Sequence, residues 1–212
     1  MTEGRIITLS GYGESRIEVK QSVFIGQAVP VRTAEEAEAF IASVRKKYPD
    51  ARHTCYAWKI DTLTHMQKIS DDGEPSGTAG MPILNVIERS DLTDIAVAVT
   101  RYFGGILLGK GGLVRAYTDA AVVAVDASGK VEVREGKAFS VRIGYDMSDK
   151  IMRETGLRGW AVEDTEYGAD VRFTVVCTKA EQDLMTDTLI DITSGRAQIE
   201  KLGDREIRLP LI

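Results

Sequence analysis

Two cysteines and two histidines in 212 residues leave little on which metal or thiol chemistry can be built. Cys55 and Cys177 lie far apart in the chain, so reduced and partly buried thiols are expected rather than a disulfide framework. There is no CxxC pair, no H-E-x-x-H helix and no G-x-S-x-G elbow, which removes the common zinc, redox and serine-hydrolase signatures. No apolar run approaches the roughly 20 residues that span a bilayer. The opening "MTEGRIITLS" has neither the basic start nor the apolar core of a signal peptide. A soluble cytoplasmic protein with no membrane partner is therefore expected. Repeats, low-complexity tracts and heptads are absent as well. Positive charge is also in short supply: 27 Lys and Arg stand against 32 Asp and Glu, a net charge of −5. That balance argues against a protein that coats nucleic acid, because phosphate binding needs concentrated cations. It leaves room for a local patch, for which Arg52, Lys59, Lys68, Arg101, Lys110 and Arg115 are the candidates.

What is present is an alternation of strand and helix patterns. "RIITLSG" and "SRIEVKQSVFIGQAVPV" read as extended segments around the turn "GYG". "TAEEAEAFIASVRKKY" reads as a helix with Thr33 as N-cap, Glu36 completing a capping box, and Phe40, Ile41, Val44 and Tyr48 as its apolar stripe. "ARHTCYAWKI" follows as a strand that puts His53, Cys55 and Ala57 on one face. "DIAVAVTRYF" is apolar throughout, as a strand buried on both faces should be. From Ala138 the order becomes βαββαβ, with "EYGAD" as the hairpin between the middle strands. A composition shift at Gly136-Lys137 suggests two domains, 1–135 and 138–212.

Two glycine-punctuated stretches carry the candidate chemistry. The first, "SDDGEPSGTAGMP", runs from Ser70 to Pro82 and leads into a helix of about Ala79 to Arg89. Pro82 must lie in that helix's first turn, so Thr78 or the residue after it is the expected N-cap. Asp71, Asp72 and Glu74 are a candidate hard-cation cluster or a solvated turn. Alternatively, Asp71 or Glu74 is placed to meet Arg101 or Lys110 across the two loops as a structural tie. The second stretch, "GGILLGKGG", is expected as a loop before the small-residue-rich helix "LVRAYTDAAVVAVDASG". Gly104-x-x-x-x-Gly109-Lys110 matches the start of a P-loop, but Gly111 stands where a P-loop needs Ser or Thr for magnesium. The dinucleotide fingerprint fails for want of its third glycine. What remains is an anion site built from the Gly111 and Gly112 amides with Lys110 and Arg115, or a glycine loop that lets a helix pack closely. His53 and Cys55 form a conceivable nucleophile pair with no third orienting group. Trp58, Tyr56, Tyr102 and Phe103 are either base-stacking aromatics or core.

Together, "HTCYAW", "SDDGEPSGTAGMPIL" and "VAVTRYFGGILLGKGGLVRAY" resemble the YigZ/IMPACT family, in three separated motifs in the right order over about residues 15 to 130. The resemblance implies an α+β fold: an N-terminal domain like ribosomal protein S5 domain 2, then a ferredoxin-like domain similar to one of elongation factor G. It implies a role around translation or nucleic acid, with no established catalytic residue. The eukaryotic relatives restrain a starvation-response kinase largely through an extra N-terminal domain, and this chain begins directly at the shared domain, so that role is not expected to carry over intact.

The expected function is a translation-associated binding or regulatory protein, favoured over an enzyme, contacting RNA or a ribosome-bound partner. Arg101, Lys110, Gly111, Gly112 and Arg115 are the phosphate-contacting candidates, and His53, Asp71, Asp72, Glu74, Ser76 and Thr78 the residues that shape the site. No cofactor or metal is implied. The alternatives are an enzyme or sensor holding a small phosphorylated or nucleotide ligand at Gly104–Gly112, and a protein–protein adaptor working through the ferredoxin-like sheet.

Overall fold

The computed structural model describes residues 6–62 and 65–211. Residues 63 and 64, inside the polar stretch before His65, lie outside that description; His65 itself is exposed. The chain divides into two compact units, one running to Glu132 and taking back Pro210 and Leu211, the other Val133–Leu209.

The first unit begins with β1 (Ile6–Leu9), tied by Thr93 N–H to the Ile7 carbonyl at 2.9 Å and by Ser10 N–H to that of Gly129 at 3.0 Å. Its main sheet is antiparallel, in the order β2 (Gly13–Val19), β3 (Ser22–Pro30), β6 (Ile95–Tyr102), β4 (His53–Ile60), β5 (Met66–Ser70). Helix α1 (Ala34–Lys47) covers one face through Ala37, Ile41 and Val44, which meet Tyr56, Trp58, Ile60, Ala96 and Ala98. Helices α2 (Gly80–Arg89) and α3 (Gly109–Ser128) cover the other, against Phe24, Ala28, Cys55, Ala57, Val97 and Val99. β4 and β6 thus bury both faces, which is why β6 reads as a continuous apolar run.

The Thr33 cap forms as expected, accepting from Glu36 N–H at 3.3 Å. The return arm lands one residue earlier than a capping box would place it, with the Glu36 carboxylate taking Arg32 N–H at 2.7 Å. The β2–β3 hairpin turns on Lys20 (φ 47°) and Gln21 (φ 65°), two adjacent left-handed residues without the Asn-Gly signature of such turns.

The second unit follows the βαββαβ order. β7 (Lys130–Ile143) leads into it, and the division between the two units falls inside this strand, after Glu132. α4 (Tyr145–Arg158), β8 (Ala161–Tyr167), β9 (Val171–Thr178), α5 (Gln182–Thr193) and β10 (Gln198–Pro210) complete it. β7 lies between β9 and β10, with β8 at the far edge of β9. Gly136 is where β10 comes close: a Cβ there would stand 2.5 Å from Ile207 Cγ1. The helices cover one sheet face through Ile151, Met185 and Leu189 against Val141, Phe173 and Val175.

Small residues decide how closely α3 approaches its sheet. A Cβ on Gly26 would lie 2.5 Å from the Ala120 carbonyl oxygen, and one on Gly13 2.3 Å from that of Ala124. Ser15, paired with Gly26 across the strands, donates to the same Ala120 carbonyl at 2.8 Å. The alanine-rich helix and the glycine-bearing strands are therefore two halves of one close contact. Gly26→Ala is expected to overpack it and to cost about 1–3 kcal/mol in denaturant unfolding.

Candidate functional site

The Asp71–Thr78 loop leaves β5 through Asp72 (φ 42°) and Gly73 (φ 86°), with Glu74 N–H closing the turn on the Asp71 carbonyl at 2.9 Å. The Asp71 carboxylate then accepts from three backbone amides: Gly77 at 2.8 Å, and Ala79 and Gly80 at 2.9 Å each. It is the N-terminal cap of α2, delivered from eight residues upstream. Of the two expected caps, Ala79, the residue after Thr78, stands at the cap position but offers no side-chain bond, and Thr78 is buried and donates to the Pro75 carbonyl at 2.7 Å. Burial pushes the Asp71 carboxyl up, but the three amides outweigh it and hold the group below its ordinary value.

The neighbouring carboxylates are equally engaged. Asp72 accepts from Thr54 N–H at 2.7 Å and from Arg45 at 2.9 Å, and its carbonyl holds His53 Nδ1 at 2.8 Å. Glu74 turns inward to a buried ion pair with Arg101 at 2.7 Å, their side chains only 4% and 7% exposed. Tyr117 of α3 donates to the same Glu74 oxygen at 2.8 Å. The expected tie between the loops is thus Glu74 with Arg101, and Lys110 takes no part in it. Three carboxylates that each serve an amide or a cation do not make a cation site, and no metal-holding cluster occurs among the described residues.

Arg101 is positioned by β6 beside Phe24 on β3 and His53 on β4. Its guanidinium lies between the rings of Phe24 and Phe103, 5.5 and 5.4 Å from their centroids. Ser22 Oγ, 3.4 Å from the guanidinium, also accepts from Gly104 N–H at 3.1 Å. Gly104 has no room for a side chain, since a Cβ would stand 2.0 Å from the Gln21 carbonyl carbon. Arg101 is therefore an internal pillar; as a phosphate contact it would have to leave a buried carboxylate behind. Ser22 and Tyr117 carry this network without having stood out in the sequence. The signal for Tyr117 is that it is the one large ring on the alanine face of α3.

The His53–Cys55 pair is not a nucleophile. The Cys55 sulfur is buried 3.0 Å from the Asp71 carbonyl and 3.4 Å from Tyr117 Oη. Burial pushes its thiol up to about 12, and burial likewise pushes the Tyr117 phenol up, with Cys55 and Glu74 beside it. Neither group ionises near neutrality. Tyr56 and Trp58 are core, the indole N–H bonding Glu38 at 3.0 Å, which leaves only Phe103 of the candidate stacking aromatics largely exposed.

The second glycine stretch is shorter as a loop than expected. α3 begins at Gly109, so Lys110, Gly111 and Gly112 form its first turn. Leu108 at the cap position makes no side-chain bond, and the turn contains no acid. Lys110 and Arg115 are exposed and make no ion pair among the described residues; Arg115 Nε donates to the Gly111 carbonyl at 3.3 Å. Ile106 and Leu107 stand out just before them, 43% and 83% exposed. Ser76 is exposed on the acidic loop.

Removing one partner of the buried pair, by Glu74→Ala or Arg101→Ala, is expected to cost about 3–5 kcal/mol in equilibrium unfolding. Glu74→Leu combined with Arg101→Met should recover most of that loss while amide exchange in Asp71–Thr78 quickens. The Asp71 cap gives a pH signature. Its folded pKa lies below the unfolded value of about 3.8, so its stabilisation is complete above that value and drains away as pH falls through the folded one. Asp71→Asn is expected to flatten this acid limb of the stability curve and, by leaving the Gly77 amide without its acceptor, to cost about 1–3 kcal/mol at neutral pH.

Residues 20–125 match the Impact N-terminal domain, and residues 141–196 a domain of unknown function, DUF1949. The chain is 34% identical to IMPACT family member YvyE of Bacillus subtilis, over 92% of this chain and 89% of that protein. It is 35% identical to IMPACT family member YigZ of Escherichia coli, over 86% and 90%. The mouse Protein IMPACT is 35% identical over 42% of this chain but only 29% of its own length. A crystal structure of a hypothetical protein superposes with a TM-score of 0.60 at 31% identity, over 92% of this chain and 96% of that one. With both domains matched in order, and relatives similar over nearly their whole length, the chain belongs to the IMPACT family.

Proposed function

We propose that this protein is a translation-associated binding factor that contacts RNA, alone or on the ribosome, through the start of α3. The observation that carries this reading is the contrast between the two loops. Every carboxylate of the acidic loop is consumed internally, by the α2 amides, by Thr54 and Arg45, or by Arg101. The basic loop keeps Lys110 and Arg115 outside, beside a first helical turn with no cap and no acid. Backbone amides at a helix start and nearby cations favour phosphate oxygens. The apolar tip, Ile106 and Leu107, gives such a surface something to press against a base or a ribosomal protein.

A chain of net charge −5 gains nothing from its overall field in reaching RNA. Binding must come from this local patch, and so should respond sharply to its loss. Lys110→Ala with Arg115→Ala is expected to weaken binding to ribosomal and transfer RNA, and to reduce the slope of log K against log salt by about 1.4 for single-stranded contacts. Both residues are exposed, so the unfolding midpoint should not move. Unchanged affinity and slope would overturn the reading.

A further inference from the structure

Where β6 runs out and β4 begins, Asp50, Arg52, His53, Arg101, Tyr102 and Phe103 line a cleft of about 250 Å³. Its chemistry is mixed in an informative way. Arg52 is exposed and makes no ion pair among the described residues. His53 is anchored through Nδ1 to the Asp72 carbonyl at 2.8 Å, and a ring held there by an N–H leaves Nε2 for a ligand. Arg101 Nε is buried and has no hydrogen-bond partner among the described residues. Phe103 covers the Arg101 guanidinium with one face and is 52% exposed. Asp50 holds Tyr102 Oη on one carboxylate oxygen at 2.8 Å, leaving the other free to accept.

A bare inorganic anion fits this set poorly, because Asp50 would repel it and the aromatic ring would have no task. A hydrophobic ligand would strand the charges. A 5′-nucleotide answers all of it: an anionic phosphate for Arg52, ribose hydroxyls that donate to Asp50 and to His53 Nε2, and a planar base for the open face of Phe103. The volume suits one such unit and no more. We propose that this cleft is a binding subsite for a single nucleoside 5′-monophosphate, either free or as the 5′-phosphorylated end of an RNA strand. Neither Lys110 nor Arg115 lines it.

The test is calorimetric titration of the full chain with adenosine 5′-monophosphate, inorganic phosphate and adenosine. Arg52→Ala and Phe103→Ala are the cleft variants, and Lys201→Ala, at an exposed lysine of β10, is the control; unfolding midpoints establish that all three fold. The expected result is that the nucleotide binds more tightly than either fragment and loses about tenfold or more in affinity in each cleft variant, a change of about 1.4 kcal/mol, while Lys201→Ala leaves it unchanged. Absence of nucleotide binding overturns the proposal. So does binding no tighter than that of inorganic phosphate, or binding indifferent to Arg52→Ala. Competition of a 5′-phosphorylated trinucleotide with the mononucleotide separates the two sources: displacement supports the subsite as an RNA-end site, and its failure supports it as a free-nucleotide site.

Discussion

The salt bridge between Glu74 and Arg101 holds the functional end of the first unit together. Both side chains are almost wholly buried, so each is tolerated only because the other is there. Through Glu74 it draws the Asp71–Thr78 loop onto the sheet and onto Tyr117 of α3. Through Arg101 it sets the ring of Phe103, and through Ser22 it reaches the backbone of Gly104. A purely apolar contact could supply comparable burial. It could not fix direction, because the guanidinium and the phenol both demand a place on one carboxylate oxygen. The start of α3, where the proposed RNA contacts stand, is therefore set by a polar network buried about two turns further along the helix.

That arrangement accounts for the coexistence of an acidic and a basic glycine loop in one domain. Close carboxylates would cancel the field of Lys110 and Arg115 if they faced solvent together. Instead Asp71 spends its charge on three amides of the α2 start, and Glu74 on Arg101. The α2 N-terminus is thereby closed to other anions, whereas the α3 N-terminus has no such cap. Two helix starts with the same glycine-rich appearance in sequence end with opposite availability.

The elements themselves were largely legible, because they rest on local rules. The apolar stripe of α1 with its Thr33 cap, the two-faced run of β6, and the βαββαβ order of the second unit all follow from patterns a few residues long. What escaped is long-range. Asp71 caps a helix from beyond the usual spacing, with Ala79 at the cap position, and no short motif encodes that. Lys20 and Gln21 adopt a turn their side chains do not favour, held by the register of β2 against β3. Gly109 to Gly112 looked like loop because four residues with three glycines have poor helix propensity, yet the helix that packs on Gly26 and Gly13 continues through them. The tie between the loops was foreseen as a class of contact, but its partners were fixed only by Glu74 pointing inward.

The same logic separates Arg101 from Lys110 and Arg115, three cations that the sequence placed on equal footing. β6 turns Arg101 toward the helices because it alternates with buried Val99 and lies across from Phe24. Once inside, it serves the fold, and what it leaves at the surface is the ring it supports. Phe103 gains rigidity from the cation beneath it. A stacking surface is more useful to a ligand when its ring does not have to be ordered on binding, since that entropy has already been lost on folding. The buried pair thus prepares two surfaces at once: the start of α3 through Tyr117, and the cleft beside His53 through Phe103.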